Sequence, residues 1–181
     1  MTKLLPLLII ILFLSACSKE TTVQVIRNPL IEFTSSLGLW KADNYSLTKP
    51  VQVVGYPANS SQSGQVYKRF TLHANGKNDK GEDLQLNIVF DAENIDQLKG
   101  IYRPTYTSEK GLYEVQLFTL DNNNLSAYSI CTSSSASMLQ IQRQSQTERL
   151  ISGTFQMELC NVRDPTQKIQ ISDGIIKDIH Y

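Results

Sequence analysis

The chain has 181 residues, 41% of them hydrophobic and 19% charged, with 17 basic side chains against 17 acidic ones. A formal net charge of +0 argues against a nucleic-acid binder, because gripping phosphates needs a basic excess. The length suits one domain able to bury a single core.

The apolar residues crowd the start of the chain. Lys3 supplies a positive n-region, and Leu4–Leu14 is an apolar run interrupted only by Pro6. A membrane-spanning helix needs about 20 apolar residues, so residues 1–16 read as a cleaved secretory signal. Leu14-Ser15-Ala16-Cys17 resembles a bacterial lipoprotein box. That resemblance implies that Cys17 becomes the first mature residue and carries acyl chains, of the palmitate type. Two or three chains hold far more firmly than one, since each buried methylene contributes about 0.8 kcal/mol. The expected partner is therefore a membrane, reached through the lipid anchor. Ser18, rather than Asp, after the cysteine points to the outer membrane in the enterobacterial sorting scheme. Whether the protein faces the periplasm or the cell surface stays open.

Residues 17–28 are polar without a sustained period and read as a tether closed by Pro29. Eleven residues at ~3.3 Å each reach at most ~35 Å from the bilayer. Residues 29–181 form one all-β domain in which period two dominates. Strand candidates in chain order are 39–46, 51–56, 65–73 and Leu84–Phe90, where Leu84, Leu86, Ile88 and Phe90 share one face. Between Asp91 and Gly100 the chain reads as a short helix. Asp91 suits its N-cap, Glu93 its first turn, Ile95 and Leu98 one face, and Lys99-Gly100 its stop. Further strands follow at 100–103, 112–119, 125–131, 139–142, 151–159, 168–172 and 174–180. Polar turns are expected from Asn75-Gly76 to Asp83, over Asp121–Asn124 and over Ser145–Glu148, and a loop over Thr132–Ser137. Most strands have one apolar and one polar face, which antiparallel sheets use. The fold class is thus an antiparallel β-sandwich or partly closed β-barrel of roughly 8–10 strands with one short helix.

Four landmarks stand in a fixed order: Trp40-Lys41-Ala42, Gly100-Ile101-Tyr102, Ile151-Ser152-Gly153-Thr154-Phe155, and Ile169 to Ile175 around Gly174. In that order the chain resembles small Bacteroidetes lipoprotein families with an all-β domain and no assigned activity. The resemblance implies fold and location, and no catalytic residue. Inside ISGTF, Gly153 reads as a bulge or packing glycine that lets a neighbour come close.

The chemistry-bearing residues are sparse. Cys131 and Cys160 remain once Cys17 is lipidated, an even pair in an oxidising compartment that can either bridge or stay as two thiols. They lack the spacing of a metal site, and His73 and His180 belong to no ligand pattern. No metal or cofactor is implied. Asp79, Glu82 and Asp83, interleaved with Lys77 and Lys80, read as a solvated hairpin tip rather than a glycosidase pair. No GxSxG elbow is present. Trp40 reads as a core anchor. The candidate binding loop is Tyr102-Arg103-Pro104-Thr105-Tyr106, with Tyr102, Arg103 and Tyr106 projecting from a strand end.

These features suggest a lipid-anchored cell-envelope protein whose non-catalytic β-domain binds a glycan or an envelope protein. Two alternatives stand beside it: an envelope glycan hydrolase with acids that converge only in the fold, and a structural accessory subunit of an envelope complex.

Overall fold

The computed structural model of the protein describes residues 28–48, 50–55, 65–105, 110–121, 124–132 and 136–181. The signal sequence, Cys17, the tether up to residue 27 and Tyr106 lie outside the described residues. The chain forms strands β1 (Leu30–Ser35), β2 (Gly38–Leu47), β3 (Val51–Gly55), β4 (Gln65–Asn78), β5 (Asp83–Ala92) and β6 (Gly100–Tyr102). They are followed by β7 (Gly111–Asp121), β8 (Asn124–Ile130), β9 (Met138–Ser145), β10 (Leu150–Asn161) and β11 (Lys168–His180).

Eight of these close an antiparallel barrel in the order β11-β1-β2-β4-β5-β7-β8-β10, and the β10–β11 ladder completes the ring. The other three extend it toward one rim. β3 continues the line of β2 along β4, and β9 continues the line of β8 along β10. β6 pairs with β9, and residues 103–105 bond to Leu112 at the start of β7. This upper rim therefore carries more strands than the lower rim, where the turns after Ser35, Asn78 and Asn161 lie.

An eight-stranded barrel has an interior just wide enough for side chains to fill. Here it is a packed core. Ile31 and Phe33 of β1, Trp40, Phe70 and Leu72, Leu86, Ile88 and Phe90, Leu117, Phe155 and Ile171 are all buried within one cluster. Phe33 stacks on Trp40 at 4.8 Å between ring centroids, and Phe70 on Phe90 at 5.2 Å. Burying each large side chain contributes about 1.5–3 kcal/mol.

The all-β class follows the period-two pattern, but four local expectations change. No helix occurs among the described residues. Asp91, expected to cap one, lies within the last residues of β5 and is held by Arg69, while Asn94 closes a turn by accepting the Asp96 amide at 3.0 Å. Asn75 and Gly76 continue β4 opposite Gln85 and Leu84, so the turn begins only after Asn78. Residues 168–172 and 174–180 belong to one strand. Gly174 lies under the Phe155 ring, where a Cβ would sit 2.5 Å from ring carbons, so the glycine serves packing rather than a turn. Leu30–Ser35 adds a first strand through Ile31 and Phe33. At Gly153 a bulge separates it from Ser152 in the β9 ladder, and a Cβ there would stand 2.0 Å from the Gln140 carbonyl oxygen.

Candidate functional site

Tyr102 does not project from a loop as expected. It is wholly buried, its hydroxyl donates to the Leu98 carbonyl at 2.7 Å, and its ring meets Phe90 edge-on at 5.0 Å. Burial, reinforced by the charge of Glu93, pushes its hydroxyl well above the ordinary tyrosine range. Arg103 is exposed, but its carbonyl accepts the Leu112 amide at 2.8 Å, and Thr105 returns a bond to Leu112. This segment is therefore part of the barrel wall. The reason is elementary: a tyrosine ring with one backbone acceptor in reach is worth more inside a rim than in water.

A groove of ≈ 680 Å³ opens instead at the upper rim, lined by Asp96, Gln97, Lys99, Lys110, Gln144 and residues 145–147. Two glutamines fix its frame. Gln144 accepts the Leu98 amide at 2.7 Å and donates to the Ile95 carbonyl and the Tyr181 hydroxyl at 2.8 and 2.7 Å. Gln146 donates to the Asp96 carbonyl at 2.9 Å. Together they pin residues 95–98 to the β9–β10 hairpin, replacing the ladder bonds that an irregular segment lacks. Leu98 is fully buried beneath.

The groove offers ammonium groups, amides and hydroxyls. Lys99 and Lys110 are both exposed, and among the described residues neither has a carboxylate within ion-pair distance. The Lys110 ammonium lies 6.0 Å from the Tyr102 ring centroid. Among the described lining residues Asp96 is the single carboxylate. Such a surface donates more hydrogen bonds than it accepts, which suits an anionic or hydroxyl-rich ligand.

Ion pairs form elsewhere on the barrel. Arg69 grips the buried Asp91 carboxylate through two bonds of 2.8 Å, and its guanidinium carbon lies 3.5 Å from the Tyr113 ring centroid. Asp91 raises the Arg69 guanidinium above its usual range. At the lower-rim tip, Asn78 accepts the amides of Lys80 and Glu82, and Lys77 meets Asp83 at 3.4 Å. His73 Nδ1 lies 2.7 Å from Asn87 Oδ1 on the outer wall, and His180 is exposed. Among the described residues no group of three His, Cys, Asp or Glu side chains could hold a metal ion.

Cys131 and Cys160 are joined by a disulfide with Cα atoms 5.0 Å apart. It sits beside the short β8–β10 ladder, which runs only from Leu159–Ile130 to Asn161–Tyr128. Trp40 is buried in the core, as its place before an alternating segment suggests. Sequence reasoning missed the groove, since Gln144 and Gln146 look like any polar residues at a strand end. Compared with family models, curated proteins and solved structures, the chain matches none of them.

Proposed function

We propose that the protein is a lipid-anchored envelope protein of the bacterial outer membrane whose barrel binds an acidic, hydroxyl-rich ligand, an anionic glycan, at the upper-rim groove without catalysis. The observation that carries this reading is the groove itself. The barrel interior is filled by its own side chains, whereas the rim holds a pre-framed polar depression with two exposed lysines that have no ion-pair partner among the described residues. The sequence around Cys17 supports the anchor, and the chain enters β1 at the same rim.

Binding of polygalacturonate oligosaccharides, followed by calorimetry against neutral malto-oligosaccharides of equal length, tests the ligand class. The acidic series should bind, and Lys99→Glu with Lys110→Glu should weaken it by at least ~10-fold, the loss of about 1.4 kcal/mol. Equal binding of the neutral series, or an unaffected double variant, would show the reading to be wrong. Fatty-acid labelling tests the anchor separately, since Cys17→Ala should abolish it.

A second reading, an accessory subunit of an envelope complex, draws on a different surface. Leu120, Leu125 and Val162 are 44%, 61% and 62% exposed on adjoining elements near the lower rim. Contiguous apolar exposure of this kind favours a protein partner. Loss of co-purifying envelope proteins in Leu125→Lys, with glycan binding intact, would support it.

A further inference from the structure

The line of strands β2 and β3 presents one long edge to solvent. β1 covers β2 only as far as Lys41, and beyond that point β4 is the sole hydrogen-bonded neighbour of both strands among the described residues. Among the described residues, no strand meets the other edge from Ala42 to Leu47 or from Val51 to Gly55.

The two halves of this edge differ. The β2 half contains a bulge between Ala42 and Asn44 and the exposed Asp43, devices that discourage a new strand from pairing. The β3 half is Val51-Gln52-Val53-Val54-Gly55, with no charge, no proline and an unbroken register against β4. It also exposes apolar surface. Val51 is 63% exposed, and Val54 and its cross-strand partner Val66 are 48% and 44% exposed.

Nor does the barrel support this ribbon fully. The β4–β5 ladder starts at Lys68–Ala92, so among the described residues Gln65 and Val66 have β3 as their one ladder partner, and the ribbon is tied down only from the buried Tyr67 onward. A two-stranded ribbon is marginal in water, and three or more strands are needed for a stable sheet.

We infer that the β3 edge pairs with the β3 edge of a second copy of this chain, antiparallel and about a two-fold axis at Val53. This arrangement builds a four-stranded sheet, β4–β3 from one copy and β3–β4 from the other. Val53 then faces itself, Gln52 faces Val54 of the second copy, and the exposed Val51 faces Gly55, which offers no side chain to clash. No charge opposes another, so the edge is complementary to itself as an isologous interface must be. Five residues a side bury less than the roughly 1,200 Å² of a stable interface, so the dimer is weak and concentration-dependent.

The test is sedimentation equilibrium of the full chain in density-matched detergent over a roughly hundredfold concentration range, paired with amide exchange. The expected result is a monomer–dimer equilibrium in which exchange at residues 51–55 slows several-fold with concentration while residues 42–47 do not change. Val53→Lys sets two ammonium groups together at the axis and should abolish both effects. Asp43→Lys, on the protected half, should leave them intact. Concentration-independent exchange at 51–55 would overturn the inference whether or not any variant folds. So would a monomer throughout, or a dimer that persists in a folded Val53→Lys protein.

Discussion

The β4–β5 wall and the β8–β10 seam close the same barrel by different means. The β4–β5 ladder runs unbroken from Lys77–Asp83 to Lys68–Ala92, carries the Phe70–Phe90 stack inside, and locks its outer end with the Arg69–Asp91 pair. The seam pairs from Leu159–Ile130 to Asn161–Tyr128 only, with flanking bonds from Cys131 to Glu158 and from Val162 to Ala127. Beyond it the chain leaves β8 and rejoins β10 as β9. The covalent bond between Cys131 and Cys160 stands where hydrogen bonding is shortest. Where a ladder is long, packing and register suffice. Where it is brief, a cross-link does the work that extra residue pairs would do.

The largest expected effect lies on the wall. Phe90→Ala removes a buried ring that packs on both Phe70 and Tyr102, and should cost about 3–5 kcal/mol. Because the wall is continuous, the loss should be global. Denaturation followed by Trp40, the only tryptophan and a buried one, should show one shifted transition. A biphasic curve would mean that the wall and the seam unfold separately.

The seam gives the contrasting case. Replacing both cysteines by serine releases a loop closed by a sequence separation of 29, which the chain-entropy model values at about 3–4 kcal/mol. Global stability should fall by that order. In native conditions, amide exchange should also rise first at residues 124–130 and 159–161, while residues 84–90 keep their protection. Uniform acceleration across both regions would remove the distinction drawn between them.

The same contrast explains what could be read from the sequence. Period two over Leu84–Phe90 and Ile151–Leu159 is a local signal, so the β class and the main core faces were legible. The turn misplaced at Asn75-Gly76 and the helix misplaced at 91–100 were local signals too, but tertiary partners overrode them. Asp91 resembles an N-cap until Arg69, on the neighbouring strand, takes both of its oxygens. Ile95 and Leu98 have a helical spacing, yet they pack down into the rim while Gln144 supplies the bonds a helix would have made internally. Gly174 looks like a turn residue until the Phe155 ring is placed over it. The groove was illegible for the same reason. Its frame depends on contacts across 46 to 50 positions, Leu98 to Gln144 and Asp96 to Gln146, and no periodicity encodes them.

The smallest effect concerns the lower-rim turn that joins the seam strand to its other neighbour. Asp164 accepts the Thr166 hydroxyl at 2.6 Å, the Thr166 amide at 3.1 Å and the Gln167 side-chain amide at 3.1 Å. The Thr166 hydroxyl does most to hold this carboxyl below its usual value of 3.8. A carboxyl depressed in the folded state stabilises above its unfolded value, and the benefit disappears as pH falls through the folded one. The turn between β10 and β11 should therefore loosen only in strong acid, below 3.8, with the Thr166 amide resonance moving as Asp164 takes up its proton. Asp164→Asn should flatten that titration without altering the seam at neutral pH, because the Asn161 bonds to the Arg163 and Asp164 amides remain. Loss of seam protection in Asp164→Asn at neutral pH would show that the turn, rather than the disulfide, holds this side of the barrel closed.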